Sequence, residues 1–430
     1  MGRLKDISPG RLIVLGFFVV IMIGTCILMS PLSQNEGIKV SFVDALFTST
    51  SAVCVTGLIA IDTADTFNVF GRIVVGLLIQ IGGLGVTSIG VGIIILVGKN
   101  VGIKQRILVK EALNLNSMKG IVRIVKAVLI MTISFELVGT ILSYMVFSND
   151  YKPIDALGIS VFHSVAAFNN SGFDILGGFQ NLSSYEDNIL LNMVTCTLII
   201  CGGLGFLTIK EIIEKHSFKK FTLNTKIVIT ITAILLIVGT ILLKFTDNIS
   251  WLTAFFYSTS ARTAGFSTSP LSKFSNAGLF TLVILMFIGA SPGSTGGGIK
   301  TTTFFVIIKN VYSVSTNKHC MGFKREISKE AVAKASVITV LAVTLIIIDT
   351  FVLCILEKEC SFIQILFEVT SAFGTVGLST GITQHLTDAS KLILTLTMFI
   401  GRLGPLTMAT IWSFKPVSSV HYSEEDITIG

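Results

Sequence analysis

Four short glycine motifs in the 430-residue chain contain residue types that could bind a cation through backbone oxygen atoms. In each motif, two residues are followed by a glycine and then by a bulky apolar residue. The motifs are Val55-Thr56-Gly57-Leu58, Asn170-Ser171-Gly172-Phe173, Thr263-Ala264-Gly265-Phe266 and Thr375-Val376-Gly377-Leu378. Glycine adopts positive φ without steric cost, which lets a carbonyl oxygen turn toward a ligand. Four such turns around one axis would form rings of carbonyl oxygens that replace the hydration shell of a cation.

The apolar segments that precede these motifs are too short to cross a membrane. They comprise residues 42–53, 154–168, 249–261 and 361–373, whereas spanning a ~30 Å hydrocarbon core takes about 20 helical residues. We therefore predict four re-entrant pore helices whose C-terminal ends, with their partial negative charge, point at the motifs and favour a cation. A phenylalanine stands ten residues before each glycine, at Phe47, Phe162, Phe255 and Phe367, with Phe256 as the alternative in the third segment.

The composition indicates a membrane protein. Hydrophobic residues make up 51% of the chain and charged residues 13%, whereas soluble domains contain about 25% charged residues. Long apolar segments flank every short one, and small residues recur in the second of them at 81–85, 201–205, 288–291 and 400–404. The sequence thus predicts an all-α membrane protein with four helix–pore-helix–helix repeats, at 8–100, 119–215, 224–312 and 328–415. Eight full spans and four pore helices would surround one pore in a pseudo-fourfold arrangement.

Lysine and arginine residues are concentrated in the tails and in the linkers between repeats. The tails contain Arg3, Lys5, Arg11 and Lys415, and the linkers cover 99–126, 210–226 and 309–334. By the positive-inside rule, both termini and all three linkers are predicted to be cytoplasmic. Membrane topology thus accounts for the net charge of +7 without a nucleic-acid partner. The linkers are too small to fold as domains, but they can dock a soluble partner or anionic lipid headgroups.

A polar stretch interrupts the second long segment of the third repeat. Its residues are Gly289, Ala290, Ser291, Pro292, Gly293, Ser294, Thr295, Gly296, Gly297, Gly298, Ile299, Lys300 and Thr301. One proline and five glycines disfavour a helix here, each glycine by up to about 1 kcal/mol relative to alanine. The spacing of Gly293 and Gly298 imitates a phosphate-binding loop, but Ile299 occupies the position that requires lysine. We predict a flexible, non-helical loop that binds no nucleotide, with a passive kink as the alternative.

Five further charged residues fall at membrane depth, where a charge normally faces a cavity or a partner. Arg402 lies in the second span of the fourth repeat, and a structural salt bridge is one account of it. Arg262 and Glu368 lie next to the third and fourth motifs, and we predict that they pair behind the motifs and hold their shape. The sequence does not identify partners for Glu136 and Asp349.

Together these features resemble the Trk/Ktr/HKT superfamily of potassium and sodium transport proteins over nearly the whole chain. The resemblance is carried by Ser260-Ala261-Arg262-Thr263-Ala264-Gly265-Phe266, Ser371-Ala372-Phe373-Gly374-Thr375-Val376-Gly377-Leu378 and Gly293-Ser294-Thr295-Gly296-Gly297-Gly298-Ile299-Lys300-Thr301. Without extra spans before the first repeat, the chain is most similar to the bacterial Ktr membrane subunits. The resemblance implies that K⁺ is the transported ion and that the four motifs form its selectivity filter. It also implies a gate formed by the 289–300 loop and the pore-lining Arg402.

The same resemblance implies a homodimer in the plasma membrane, with one pore in each protomer. It further implies a cytoplasmic ring of nucleotide-binding regulatory subunits of the KtrA/KtrC type, and Na⁺ as an activator. Because each motif offers one glycine, fewer carbonyl layers are expected than in longer filters, and discrimination between K⁺ and Na⁺ should be weaker. Glycine in all four motifs resembles the potassium-preferring members, whereas members with serine in the first motif tend toward sodium.

Two other functions compete with a pore. An enzyme is disfavoured because the chain has no HExxH or GxSxG motif and no pair of aspartates placed as an intramembrane protease requires. A cation/proton symporter working by alternating access is the stronger alternative, since repeats and broken helices are common in carriers. Single-channel currents would favour the pore, and saturable flux with a strict ion stoichiometry would favour the carrier.

Overall fold

The computed structural model of the chain describes residues 9–112, 118–410 and 425. Arg3, Lys5 and Lys415 lie outside these described residues, as do the limits 8 and 415 predicted for the first and last repeats. Eighteen α-helices, five short 3₁₀ helices and one two-stranded hairpin make up the regular structure of the part that is described. The prediction of an all-α protein is confirmed, because the hairpin, β1 (Met321–Gly322) and β2 (Arg325–Glu326), belongs to a linker.

Four units follow one another, each with a long first helix, a short pore helix and an interrupted second helix. The first unit contains α1 (Pro9–Met29), the pore helix α2 (Phe42–Val53), the short α3 (Thr63–Thr66), α4 (Val69–Leu84) and α5 (Val86–Leu96), followed by α6 (Ile103–Ala112) in the linker. The second contains α7 (Ile121–Phe147), the pore helix α8 (Pro153–Phe168), α9 (Ile189–Leu204) and α10 (Phe206–Lys215). The third contains α11 (Leu223–Thr246), the pore helix α12 (Trp251–Ser260), α13 (Asn276–Phe287) and α14 (Thr301–Ser315). The fourth contains α15 (Lys329–Leu356), the pore helix α16 (Phe362–Gly374), α17 (Asp388–Leu403) and α18 (Pro405–Thr410).

The units are arranged in a closed ring. The second helix of each unit packs on the pore helix of the next one, and the pairs are α4 with α8, α9 with α12, α13 with α16, and α17 with α2. The last pair joins the end of the chain to its beginning. This cyclic order, with the four pore helices innermost, is the predicted pseudo-fourfold arrangement.

Local sequence explains why the pore helices are short. Serine caps begin two of them, because the Ser41 side chain accepts a hydrogen bond from the Asp44 amide and Ser250 accepts one from Thr253. A capping box of Ser361 and Gln364 begins the fourth. The third pore helix is the shortest of the four, with 10 residues against 12, 16 and 13 in the first, second and fourth. Its buried phenylalanine is therefore Phe256 and not Phe255, which is the alternative left open by the sequence.

The second helices are broken rather than straight, so the expectation of eight full spans is wrong in detail. Gly85, Gly205 and Gly404 have φ of 81°, 88° and 91° and end α4, α9 and α17, because a left-handed residue cannot continue a helix. The chain bends there by 97° in the first unit and 96° in the second. By length and composition, α1, α11 and α15 are each able to cross a membrane. Counting each of the two bent pairs as one broken span brings the number of candidate spans among the described residues to five.

A repeated contact joins the first helix of a unit to its pore helix. Gly24, Gly139 and Gly239 lie directly against the hydroxyls of Ser49, Ser164 and Ser258, and the hydroxyls donate to Ile21, Glu136 and Leu236 carbonyls. Small residues at such crossings let membrane helices approach closely. In the fourth unit Asp349 takes the place of this glycine, since it precedes the buried Leu353 by four residues, as Gly239 precedes Leu243. Thr397 donates to the Asp349 carboxylate over 2.6 Å, which supplies the partner that the sequence did not identify.

An ion pair closes the seam between the fourth and first units. The Lys391 ammonium lies 2.7 Å from the Asp44 carboxylate, with side chains 10% and 19% exposed. Replacing Lys391 with methionine leaves the negative charge of the Asp44 carboxylate without its partner, at a site that little water reaches. We expect the free energy of unfolding to fall by about 1–3 kcal/mol, which is below the cost of breaking a fully buried pair.

Thermal unfolding of the detergent-purified protein measures this loss. Lys358→Met is the matched control, because Lys358 is exposed and forms no ion pair with the residues that are described. The double variant Lys391→Met/Asp44→Leu should recover part of the lost stability, since both charges are then removed together. Equal unfolding temperatures for Lys391→Met and Lys358→Met would contradict this account of the seam.

Candidate functional site: four loops at the centre of the ring

The four glycine motifs form loops, here called central loops one to four, that begin where the pore helices end. They comprise 55–57, 170–172, 263–265 and 375–377. The first residue of every central loop is left-handed, with φ of 57° at Val55, 59° at Asn170, 74° at Thr263 and 48° at Thr375. The glycine is left-handed as well, with φ of 87°, 69°, 79° and 95° in chain order. Left-handed backbone at non-glycine residues costs of order 1–3 kcal/mol and clusters at functional sites.

The central loops touch one another in cyclic order. A β-carbon placed on Gly57 would overlap the carbonyl oxygen of Ser171, and one on Gly172 would lie 2.6 Å from that of Ala264. Likewise, one on Gly265 would overlap the carbonyl oxygen of Val376, and one on Gly377 would overlap that of Thr56. Each glycine therefore packs against the residue that precedes the next glycine, and the ring closes on itself.

The carbonyl groups of the central loops are largely unpaired. Of their twelve backbone carbonyls, only that of Gly172 accepts a hydrogen bond from another described residue. All twelve residues are buried except Gly377, which is half-buried. Buried backbone carbonyls nearly always have a hydrogen-bond or water partner. A ring of unpaired carbonyl oxygens around an axis is suited to binding a ligand that is not part of the protein.

Serine side chains on the pore helices hold three of the central loops. The Ser51 hydroxyl accepts from the Gly57 amide at 3.0 Å and donates to the Leu58 carbonyl at 2.7 Å. Ser371 accepts from the Gly377 amide at 3.0 Å, and Ser260 donates to the Phe266 carbonyl at 2.5 Å. The sequence prediction missed these residues. The signal was present, because a serine stands six residues before the glycine in the first and fourth units and five before it in the third.

The interrupted stretch of the third unit, here called the crossing loop (288–300), packs against the ends of the central loops that adjoin the pore helices. Ile288 pairs with Ile299 as an isolated parallel bridge, and the Ala290 amide donates to the Gly297 carbonyl at 3.3 Å. The crossing loop presses against central loops three and four, since a β-carbon on Gly296 would overlap Thr263 and one on Gly297 would overlap Thr375. As predicted, this part of the second span has no helix.

Polar contacts from three units hold the crossing loop in place. In the second unit, the Gly202 and Gly203 carbonyls accept from the amides of Thr295 and Ser291 at 3.3 and 3.0 Å. The Lys300 ammonium donates to the Gly296 carbonyl at 2.7 Å. The Phe206 amide of the second unit also donates to the Gly293 carbonyl at 3.1 Å, and Arg402 of the fourth unit adds a further contact.

Arg402 joins the crossing loop to the first unit. Its guanidinium donates to the Thr295 carbonyl of the crossing loop and to the Gly82 and Gly83 carbonyls at the end of α4, the last at 3.2 Å. No carboxylate among the residues described forms a salt bridge with it. Because the guanidinium has five donors, Arg402 of the fourth unit can hydrogen-bond to the third and the first units at the same time.

The predicted pair of Arg262 and Glu368 is not formed. The Glu368 carboxylate accepts from the Thr383 hydroxyl, and its second oxygen has no partner in the described part of the chain. Arg262 immediately precedes central loop three, and its Nε atom is likewise unpaired there. Glu368 stands seven residues before central loop four, which places it about 10 Å from that loop along the axis of its pore helix, at 1.5 Å per residue. Their different heights explain why the two charges do not meet.

Glu136 contacts the end of the second pore helix. The Asn169 side chain, immediately before central loop two, donates to Glu136 at 3.1 Å and to Gln80 at 2.8 Å. Gln80 belongs to the second helix of the first unit, so this cluster ties two neighbouring units to one central loop. Sequence reasoning did not connect these residues, because they are separated by up to 89 positions.

Comparisons with known proteins match this architecture. The family model of TrkH, described as a cation transport protein, matches residues 12–420. The "Potassium/sodium uptake protein NtpJ" of Enterococcus hirae is 36% identical over 99% of this chain and 98% of its own length. The "Ktr system potassium uptake protein B" of Bacillus subtilis is 37% identical over 98% of this chain and 97% of its own.

A solved structure shares the fold. It is that of the potassium transporter TrkH from Vibrio parahaemolyticus, with a TM-score of 0.75 over 95% of this chain and 86% of that one, at 18% identity. The family is one of membrane cation transporters and not of enzymes. The near-complete family match, the relatives above 30% identity and the ring of four units together show that this chain belongs to the TrkH family of cation transport proteins.

Proposed function

We propose that this chain carries K⁺ across the cell membrane through the axis of the four central loops, which act as its selectivity filter. The observation that carries the proposal is the ring of buried carbonyl oxygens that lack a protein partner. Such oxygens can replace the water around a dehydrated cation. The C-terminal ends of the four pore helices point at the same axis and add partial negative charge, which favours a cation over an anion.

The identity of the ion is supported by the relatives. The names of the two relatives described above refer to potassium uptake, and one of them also refers to sodium. Each central loop contributes a single glycine, so the filter has few carbonyl layers, and Na⁺ is expected to pass at a lower but measurable rate. We also propose that Na⁺ activates transport, which comparing K⁺ uptake with and without added Na⁺ would test.

We further propose that the crossing loop and Arg402 gate this path. The crossing loop lies directly against Thr263 and Thr375, the first residues of central loops three and four. Lys300 and Arg402 place two positive charges beside it, and like charges oppose the passage of a cation. Moving the crossing loop, or moving Arg402 away from it, would therefore open the path.

The assembly and orientation complete the proposal. We place both termini and the basic linkers in the cytoplasm, with pore repeats at 8–100, 119–215, 224–312 and 328–415. A homodimer is proposed, together with a cytoplasmic nucleotide-binding regulatory ring as partner; the ring is supported by the relative that is named as protein B of a Ktr system. This chain itself is proposed to bind no nucleotide. Native mass spectrometry of the purified protein would test the dimer.

Rubidium flux into proteoliposomes tests the proposed function. The purified chain should carry radioactive Rb⁺ down its gradient at any internal pH, unlabelled K⁺ should compete with it, and Na⁺ flux should be slower. Protein-free liposomes are the control. A flux that stops without a proton gradient and keeps a constant proton-to-cation ratio would replace the pore with the symporter.

A further inference from the structure

We propose that Asn181 is a positioning residue for ion selectivity, because it replaces in the second unit the serine brace that the other three central loops receive from their pore helices. This inference rests on the proposed function of the central loops as a K⁺ filter. It names a residue outside the motifs that determines the shape of one quarter of that filter.

The brace position in the second unit is occupied by Ala166. The backbone identifies it, because the Ser171 amide donates to the Ala166 carbonyl at 2.8 Å, just as the Thr56 amide donates to the Ser51 carbonyl at 2.8 Å. Alanine has no hydroxyl to accept from the following glycine. Accordingly, the Gly172 amide has no acceptor in the described residues, whereas the Gly57 amide has one.

Asn181, in the outer loop between α8 and α9, reaches the same central loop from the other side. Its Nδ2 group donates to the Gly172 carbonyl at 3.0 Å and to the Asp174 carboxylate at 2.9 Å. Its Oδ1 atom accepts from the Leu182 and Ser267 amides, both at 3.1 Å. Two acceptors face the nitrogen and two donors face the oxygen, so all four hydrogen-bonding capacities of the amide are used in one orientation.

These contacts link two neighbouring central loops at their outer ends. Ser267 follows central loop three, and its carbonyl accepts from the Leu182 amide at 3.0 Å. Asn181 is itself left-handed, with φ of 49°, a conformation that asparagine tolerates better than most residues. The outer loop is also tied to the first unit, since Asp62 accepts from the Phe179 amide at 2.7 Å. Asn181 therefore belongs to a supported framework and not to a free loop.

The arrangement breaks the fourfold pattern of the filter. The Gly172 carbonyl is committed to Asn181, while the glycine carbonyls of central loops one, three and four accept no hydrogen bond from the described residues. Three glycine carbonyls instead of four are then free to bind an ion at that level. Removing the Asn181 amide would both release this carbonyl and loosen the only central loop that has no serine brace.

The test is the K⁺/Na⁺ permeability ratio of the purified full chain in proteoliposomes. Asn181→Gly removes the side chain and keeps the left-handed backbone, and we expect the ratio to fall by about three- to tenfold, the effect of losing one or two hydrogen bonds. Ala166→Ser in the same variant should restore most of the ratio, because the new hydroxyl can accept from the Gly172 amide. Gln180→Ala is the matched control, since that neighbouring amide is exposed and its side chain makes no hydrogen bond in the described residues.

The outcomes separate this inference from the function beneath it. An unchanged ratio in Asn181→Gly, together with a lowered ratio in Gly265→Ser, would overturn the role of Asn181 and leave the filter in place. An unchanged ratio in both would overturn the filter as well. A drop that Ala166→Ser does not reverse would also count against a brace. If Asn181→Gly does not fold, the exchange Asn181→Asp/Asp174→Asn removes the donor to Gly172, keeps the acceptor for Leu182 and Ser267 and avoids two facing carboxylates, and the same drop is expected.

Discussion

Replacing Gly377 with alanine is expected to lower the K⁺/Na⁺ permeability ratio by at least about tenfold, equivalent to 1.4 kcal/mol of lost discrimination. The glycine has φ of 95° and lies against the Thr56 carbonyl and the Gly57 backbone of the neighbouring central loop. An added methyl group cannot fit there, so two central loops must separate. The carbonyl oxygens that compensate for the lost hydration of the ion then no longer converge. Rb⁺ and Na⁺ fluxes into proteoliposomes measure the ratio.

The chain contains a matched control for this substitution. Gly381 has the same φ of 95°, but a β-carbon there meets nothing within 4 Å. Gly381→Ala therefore imposes the same left-handed strain, about 1–2 kcal/mol, without the clash. We expect it to reduce stability and to leave the permeability ratio unchanged. If both variants lost selectivity equally, backbone strain and not loop-to-loop contact would be the cause.

Replacing Arg402 with alanine is expected to raise K⁺ flux about three- to tenfold, which corresponds to the net contribution of roughly one ordinary hydrogen bond. Two effects act in the same direction. The guanidinium ties the Thr295 carbonyl of the crossing loop to the first unit, so its loss removes that tie and leaves Thr295 held only by the second unit. Its charge also opposes cations in the path. Arg402→Lys should give an intermediate flux, because lysine keeps the charge but cannot reach three carbonyls with a rigid fork.

Arg72 provides the control for Arg402. Its guanidinium also donates to backbone carbonyls, those of Phe67 at 2.9 Å and Ala64 at 2.7 Å, but both belong to its own unit and lie away from the crossing loop. Arg72→Ala should therefore cost some stability and leave K⁺ flux per molecule unchanged. Flux in Arg402→Ala that does not exceed that of Arg72→Ala would mean that the arginine is a structural tie and not part of a gate.

The pore helices were the best-determined elements from sequence. Their predicted limits agree with the structure to within two residues, including 249–261 against Trp251–Ser260. The physical reason is that each has a local beginning, such as the serine cap at Ser250, and a local end at a left-handed residue. The spans were harder, since hydropathy does not distinguish a straight helix from one that bends by 97° at a glycine such as Gly85.

Side-chain partners could not be obtained in the same way. The Arg262–Glu368 pair was inferred from charge and from proximity to the motifs, but it fails because the two residues lie at different heights on their pore helices. Asn181 carried no signal at all, since a single asparagine in an outer loop resembles any turn residue. Its role becomes visible only when the brace missing at Ala166 is compared with Ser51 in another unit.

By itself, the sequence determined the four repeats, the short helices and the glycines that had to meet, because these depend on hydrophobic length, capping and backbone freedom, all of which are local. Tertiary structure decided which oxygen faces which neighbour. The cyclic contact of Gly57 with Ser171 and the three carbonyls held by Arg402 join residues from separate units. Such contacts arise only when four helical units close into a ring, since no pattern along one segment records the position of another.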